Sequence, residues 1–246
     1  MSKHQQSLSL FPLPKMANDF FRFKQFLVRQ SACAMKVGTD GTLLGAWAHG
    51  GKQILDIGTG TGLIALMMAQ RFAGSHVTAI DIDEAAYVQA AQNVKESPFS
   101  CRIQVVKGNI CEYKPSLSFD AVVSNPPFFR HSLECPSQQR TLARHASSLS
   151  YHDLMACVWR LLDEQGEFSV VIPSECKAAL ENEALLRGFF KSRECAVRTT
   201  PRKAPRRFLL AFTKHPVGFE LTEGIIESSL NMRSPWYQQL TNDFYL

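Results

Sequence analysis

The sequence predicts an α/β fold, an open and mainly parallel sheet of seven strands with helices on both faces. Three observations predict it. From Gln53 onward, short apolar runs alternate with longer helical stretches, the rhythm of strand–helix–strand units whose strands are covered on both sides. A glycine-rich turn, Asp56-Ile57-Gly58-Thr59-Gly60-Thr61-Gly62, begins at the end of the first run. A stiff corner, Asn125-Pro126-Pro127-Phe128, follows the fourth.

A chain of 246 residues, 45% hydrophobic and 20% charged, is long enough for one large domain with a proper core. Residues 17–246 read as that domain, with an amino-terminal extension over about 17–50. Residues 1–16, rich in Ser, Gln and Pro, read as a loose tail. The formal charge of +5 permits a nucleic-acid partner without requiring one. Seven scattered cysteines with no C-x-x-C pair point to free thiols in a reducing cytoplasm. His131 and Cys135 lack a matching second pair, so no metal site is expected. The apolar stretch over 8–12 is too short for a signal sequence or a membrane span.

Each element has a local reason. Residues 20–26 alternate apolar and basic side chains and predict a strand with one aromatic and one basic face. Gly, Thr and Asp make 35–42 turn-rich, and a short helix follows over 43–48. Ile- and Val-rich runs predict strands at 54–57, 77–81, 103–106, 120–124 and 168–172, the last stopped by Pro173. Helices are expected over 63–72, 84–95, 151–162 and 177–190, with Gly166 ending the third. The polar stretch over 129–149 reads as a loop, and strands near 196–199 and 208–213 close the sheet.

The glycine turn has the chemistry of a nucleoside site. Glycines let the backbone turn tightly and let a ligand approach closely. The spacing is G-x-G-x-G, with Leu63 where dinucleotide enzymes carry their third glycine, and no G-x-x-x-x-G-K-[ST] is present. Both facts disfavour a polyphosphate. Asp56 at the strand end suits an ammonium, and Asp81 at the end of the next strand suits ribose hydroxyls. Asn109 and Ile110, after the third strand, are placed to meet an adenine edge and face. S-adenosylmethionine has these parts and no phosphate. Taken singly, Asp56 also reads as a helix cap and Asn109 as a turn residue.

At the Pro-Pro corner, Asn125 presents an amide at a fixed place. The Asn125 side-chain oxygen and the Pro126 carbonyl can each accept a hydrogen from a planar amino group. That pushes the nitrogen toward a more nucleophilic, tetrahedral state, and both acceptors are preorganised for it. Pro127 stiffens the corner and Phe128 can stack on a base. Such chemistry calls for no metal and no covalent nucleophile. Outside this context, Asn-Pro is commonly just a turn.

These residues resemble a Rossmann-like class I methyltransferase with an amino-methylating [NDS]-P-P-[YFW] motif. Phe23-Lys24-Gln25-Phe26, Cys33-Ala34-Met35-Lys36-Val37-Gly38-Thr39-Asp40-Gly41 and Leu44-Gly45-Ala46-Trp47 are more specific. With Glu134-Cys135, Gln139-Arg140, Ala143-Arg144 and the ending Phe244-Tyr245-Leu246, they resemble the bacterial tRNA1(Val) adenine-N6 methyltransferase family. The resemblance implies methylation of the adenosine 3′-adjacent to the anticodon. It assigns Gly58, Gly60 and Asp81 to the cofactor, with Thr39 and Asp40 in a flanking turn, and 125–128 to the target base. Asn109 stands where an Asp is common, and Phe128 where Tyr is common. Ribosomal-RNA guanine-N2 and protein glutamine-N5 methylation use the same Pro-Pro logic and stay open as alternatives.

Basic residues mark a candidate RNA face. Arg198, Arg202, Lys203, Arg206 and Arg207 fall in a stretch with no acid. Lys24 lies among aromatics at the amino end, and Arg140 and Arg144 follow the Pro-Pro corner. Cations mixed with aromatics suit phosphate contacts and base stacking, although any one of them alone suits a solvated surface equally well.

Overall fold

The aromatic–basic stretch at the amino end folds back on itself. In the computed structural model, which describes residues 19–31, 36–127 and 149–246, β1 (Phe20–Arg22) and β2 (Leu27–Arg29) pair antiparallel. The expected single strand over 20–26 is therefore a hairpin. The Phe23 N–H donates to the Phe26 carbonyl at 2.8 Å and closes the turn. The gain is aromatic burial. Phe23 stacks on Phe26 at 4.7 Å and on Tyr245 at 5.8 Å, and the Lys24 N–H donates to the Phe244 carbonyl. The hairpin is thus packed against Phe244 and Tyr245.

Helix α1 (Thr39–Trp47) starts inside the stretch read as turns. Its small residues serve close packing instead. A Cβ on Gly45 would sit 2.7 Å from Met67 Sδ, and one on Gly41 would sit 3.1 Å from Leu63 Cδ2. Both contacts are with α2 (Leu63–Arg71), which follows β3 (Gln53–Ile57). Then come β4 (His76–Asp81), α3 (Glu84–Lys95), β5 (Ile103–Lys107) and β6 (Phe119–Ser124). Helix α4 (Tyr151–Leu161) leads directly into β7 (Leu162–Pro173). Leu162 turns extended, and Gly166 lies within the strand instead of ending the helix. At Gly166 the strand runs so close to β6 that a Cβ would fall 3.0 Å from the Asp120 carbonyl.

After α5 (Lys177–Arg187), β8 (Phe190–Arg198) begins earlier than its charged sequence suggests. The charges are paired: Arg193 meets Glu167 at 2.6 Å, and Lys191 meets Glu194 at 2.6 Å. The last elements are β9 (Arg207–Thr213), β10 (Glu220–Ile225), β11 (Glu227–Ser229), β12 (Met232–Arg233) and α6 (Pro235–Thr241).

Among the described residues the central sheet has eight strands, not seven, in the order β10-β8-β9-β7-β6-β3-β4-β5. Strand β10 is the addition. Among the described residues it pairs only with β8, in parallel, and its Glu-Leu-Thr-Glu-Gly-Ile sequence lacks the apolar run of a central strand. An edge strand needs no such run. Strand β9 is antiparallel to both neighbours, and every other pairing in the sheet is parallel. Successive side chains serve opposite cores, as the period of two demands. Ile54, Val123, Val171 and Leu209 pack with α1, α2 and the amino-terminal hairpin. Leu55, Val122, Val170 and Leu210 pack with α4 and α5. No helix among the described residues is long and apolar enough to cross a membrane.

Candidate active site

Strands β4, β3 and β6 end side by side. Ile57 is in register with Ile80 on one side and with Ser124 on the other. The next residue of each strand is therefore at the same carboxyl edge: Gly58, Asp81 and Asn125. The chain runs outward from β3 to β4 and β5, then returns to β3's other side as β6. A crevice forms at such a reversal, outside the strand ends, and is where open α/β sheets bind ligands.

The glycine turn needs its glycines. Gly58, Gly60 and Gly62 all have positive φ, at 71°, 58° and 81°, a region that costs other residues about 1–2 kcal/mol. The turn is tied to β4 by the Gly58 and Thr59 N–H groups, which donate to the Ile80 carbonyl at 2.9 and 3.1 Å. A Cβ built on Gly58 meets nothing within 4 Å, so open space adjoins that glycine.

Two carboxylates brace the turn. Asp81 accepts the Gly60 N–H at 2.8 Å and the Asp83 N–H at 3.0 Å. Asp56 is wholly buried and accepts the Thr59 hydroxyl at 2.6 Å and the Ala65 N–H at 3.2 Å through one oxygen. Its other oxygen, Oδ1, has no partner among the described residues. Burial pushes the Asp56 carboxyl up to about 7; the two hydrogen bonds oppose the rise and the nearby Asp81 charge adds to it. The cap reading of Asp56 is thus realised through Oδ2, while Oδ1 keeps an acceptor uncommitted.

Past β5, the Gly108 N–H donates to the Asp81 carbonyl at 2.9 Å, bringing Asn109 and Ile110 to the same edge. The Asn109 side chain accepts the Cys111 N–H at 3.0 Å, the turn role, and Ile110 is buried. Sequence reasoning passed over Ile82. It directly follows Asp81 and is 54% exposed, an apolar side chain left free beside the ribose candidate. The available signal was an isoleucine set between two aspartates at a strand end.

A cleft of about 260 Å³ gathers the rest: Gly38, Thr39, Asp40 and Gly41 from the start of α1, Gly58 to Thr61 from the glycine turn, and Asn125 and Arg207. A larger hollow of about 440 Å³ lies at the sheet's opposite edge, among Gln53, His76 and Arg102. It holds none of the candidate residues, so chemistry selects the smaller cleft. Asn125 is half-buried, Pro126 buried and Pro127 exposed. The Asn125 side-chain oxygen is shielded and has no hydrogen-bond partner among the described residues. An amide left unpaired in this way is costly unless something else uses it.

Of the predicted RNA contacts, Arg207 reaches the cleft and is ion-paired with Asp40. Arg202, Lys203 and Arg206 lie in the exposed loop between β8 and β9. That loop stands on the carboxyl edge too, since Pro173 at the end of β7 is in register with Arg207. Lys24 donates its ammonium to the Asn242 carbonyl at 2.5 Å while staying exposed. Phe128, Arg140, Arg144, His131, Cys135, the 1–16 tail and 129–148 of the polar loop lie outside the described residues.

Residues 42–201 match the family model of the methyltransferase small domain. A crystal structure of a predicted O-methyltransferase from Agrobacterium tumefaciens is 18% identical, with a TM-score of 0.65 over 83% of this chain and 96% of that one; it shares the fold. A tRNA1(Val) (adenine(37)-N6)-methyltransferase from Histophilus somni is 40% identical over 92% of this chain and 97% of its own length. One of the same name from Bacteroides thetaiotaomicron is 47% identical over 94% of this chain and 99% of its own length. With this identity maintained from end to end, the chain belongs to the tRNA1(Val) (adenine(37)-N6)-methyltransferase family.

Proposed function

We propose that this protein methylates N6 of the adenosine 3′-adjacent to the anticodon of tRNA1(Val). The observation that carries the proposal is the Asn125 amide, whose oxygen has no partner among the described residues and whose residue lines the cleft shared with the glycine turn.

The residues present fit S-adenosylmethionine. The positive-φ glycines and the open space beside Gly58 admit a ligand close to the backbone. Asp56 Oδ1, which has no partner among the described residues, suits a cationic amino acid, and the N–H groups at the start of α1 suit its carboxylate. Asp81 suits the ribose, and Ile82, Ile110 and Asn109 suit the adenine. Thr39, Asp40 and Gly60 line the walls, and Gly62 closes the glycine turn against α3. When bound, the cofactor supplies a methyl group activated on a sulfonium sulfur.

The chain's task is then the acceptor nitrogen. The lone pair of an adenine amino group is delocalised into the ring and attacks poorly. The Asn125 oxygen and the Pro126 carbonyl accept its two hydrogens and localise that lone pair. Rotating the Asn125 amide about χ2 to present its oxygen breaks no bond to that oxygen among the described residues. Pro127 fixes the corner, and Phe128 supplies a stacking face for a flipped base. Arg202, Lys203 and Arg206, with Lys24, Arg140 and Arg144, hold the RNA backbone, while Arg207 is engaged by Asp40 at the cleft.

Nucleoside mass spectrometry of tRNA1(Val) tests the reading. Unmodified transcript incubated with the protein and S-adenosylmethionine is expected to gain N6-methyladenosine at that position. Methylation only of guanine N2 or of a protein glutamine would overturn it.

A further inference from the structure

Beyond Ile225, the chain forms a small hairpin of β11 and β12 that projects past the sheet's carboxyl edge. Its base is fixed. The Ser234 N–H donates to the Ile226 carbonyl at 2.8 Å, and Trp236 packs so tightly on Gly224 that a Cβ there would lie 2.3 Å from the indole. Arg233 lies over the Tyr245 ring at 4.1 Å. Its tip is the opposite. Leu230 is 86% exposed and Met232 61%. Between them Asn231 adopts a φ of 60°, the sole positive-φ residue other than glycine among those described. Asn takes this conformation with less strain than most residues.

A fixed stem that presents two adjacent bare apolar side chains offers a preformed surface for a partner. The surroundings indicate the partner's chemistry. The hairpin abuts the basic loop: the Ile226 N–H donates to the Arg198 carbonyl at 3.0 Å and the Glu227 N–H to the Thr199 carbonyl at 2.9 Å. Arg202, Lys203 and Arg206, which follow Thr199, are exposed and make no ion pair among the described residues. Glu223, an acid of this edge, is occupied by Arg198 at 3.2 Å. A polyanion carrying apolar, stackable faces satisfies both features at once. Nucleic acid has that combination, with phosphates for the cations and bases for an apolar wedge.

We infer that the tip, Leu230 and Met232, packs against bases of the substrate RNA that flank the target adenosine. The inference rests on the tRNA reading proposed above and adds a contact to it. Strand β10 is four strand spacings from β6, roughly 19 Å at about 4.8 Å each. The tip therefore meets neighbouring nucleotides of the loop or stem, while the target base lies at Asn125.

The test compares full-length wild type with the double variant Leu230→Ser, Met232→Ser in methylation of a tRNA1(Val) transcript. Both side chains are exposed, so folding is expected to be unchanged, with circular dichroism and Tm as checks. Burying such side chains partly on RNA corresponds to about a tenfold effect. The KM for tRNA is expected to rise about tenfold, with kcat and calorimetric S-adenosylmethionine affinity within about twofold of wild type. A photo-crosslinking residue placed at position 230 is expected to label the tRNA. An unchanged KM, or crosslinks only to a second copy of the chain, overturns the inference while wild-type methylation stands. Failure of the wild type to methylate tRNA at all would instead remove the reading beneath it.

Discussion

Arg207 donates its guanidinium Nε–H to the Asp40 carboxylate, at the mouth of the cleft that Asn125 lines. One residue was read from sequence as an RNA contact, the other as part of the cofactor's flanking turn. Their pairing ties β9 to the start of α1 and settles much of the Arg207 charge inside the protein. Arg202, Lys203 and Arg206 have no such partner among the described residues.

The pairing predicts an uneven salt response. Each cation that neutralises a phosphate of single-stranded nucleic acid adds about 0.7 to the slope of log K against log salt. Replacing Arg202, Lys203 and Arg206 together with Ala is expected to flatten the slope for tRNA binding by about 2. Arg207→Ala is expected to change it by less than about 0.5, because its charge is already answered by Asp40. Fluorescence anisotropy across a salt series distinguishes the two variants. Equal slopes for wild type and the triple variant would demote the loop to plain solvated surface.

Asn125→Ala separates chemistry from binding. A preorganised acceptor contributes about 10²–10³ in rate when removed from a comparable site, so kcat is expected to fall by about that much. The affinity for S-adenosylmethionine is expected to hold, since Asn125 is assigned to the other substrate. Thermal stability is expected not to drop through the lost oxygen, which makes no hydrogen bond among the described residues. Stopped turnover assays and calorimetry check both halves, and full activity in the variant would remove Asn125 from the mechanism.

Asp81→Ala acts on the cofactor side. Asp81 holds the Gly60 N–H and the Asp83 N–H, so its loss frees the glycine turn and removes the proposed ribose acceptor. Hydrogen bonds to a charged group are worth about 1.5–3 kcal/mol, which corresponds to a cofactor Kd weaker by roughly 10- to 100-fold. The KM for tRNA is expected to stay within about twofold. Titration calorimetry with S-adenosylhomocysteine measures the cofactor effect without turnover, and an unchanged Kd would leave Asp81 with only its turn-bracing role.

Much of this site was legible because its signals are local. Glycines at forced positive φ, an acid at a strand end and a proline corner are each written within a few residues. Helix α3 and the central strands followed for the same reason, through unbroken apolar periodicity. What escaped depended on partners far away in the chain. The start of α1 reads as turns until Met67 and Leu63 explain its glycines. The first half of β8 carries no expectation of a strand, which the sequence places only near 196–199, because its charges make sense only once Glu167 pairs with Arg193. Strand β10 shows no core pattern because one of its edges has no neighbour in the sheet. Ile82 escaped for a different reason. Its place between two aspartates is only a partial signal; its exposure, the deciding clue, is set by the three-dimensional arrangement.

The buried carboxyl of Asp56 predicts a pH dependence of stability. Its folded value, about 7, lies above the 3.8 of an ordinary aspartate, chiefly because burial disfavours the charge. Between those values the folded protein holds a proton that the unfolded chain has released. The contribution of Asp56 is therefore fully present below about pH 3.8 and is lost as pH rises through about 7, at up to about 1.4 kcal/mol per pH unit. Glu167 has the opposite sign. Burial raises it, but His49 and Arg193 outweigh that and hold it at about 2, so its contribution is gained between about 2 and 4.5. Above pH 4.5 the two no longer overlap. Asp56→Asn keeps an acceptor for Thr59 and Ala65 and removes the titration. Its unfolding free energy relative to wild type is expected to climb from pH 4.5 to about 7 and then level off. Urea denaturation at half-unit intervals measures the difference. A difference that stays flat across the window would mean that Asp56 is ionised in the folded protein throughout, its charge held by groups other than Thr59 and Ala65.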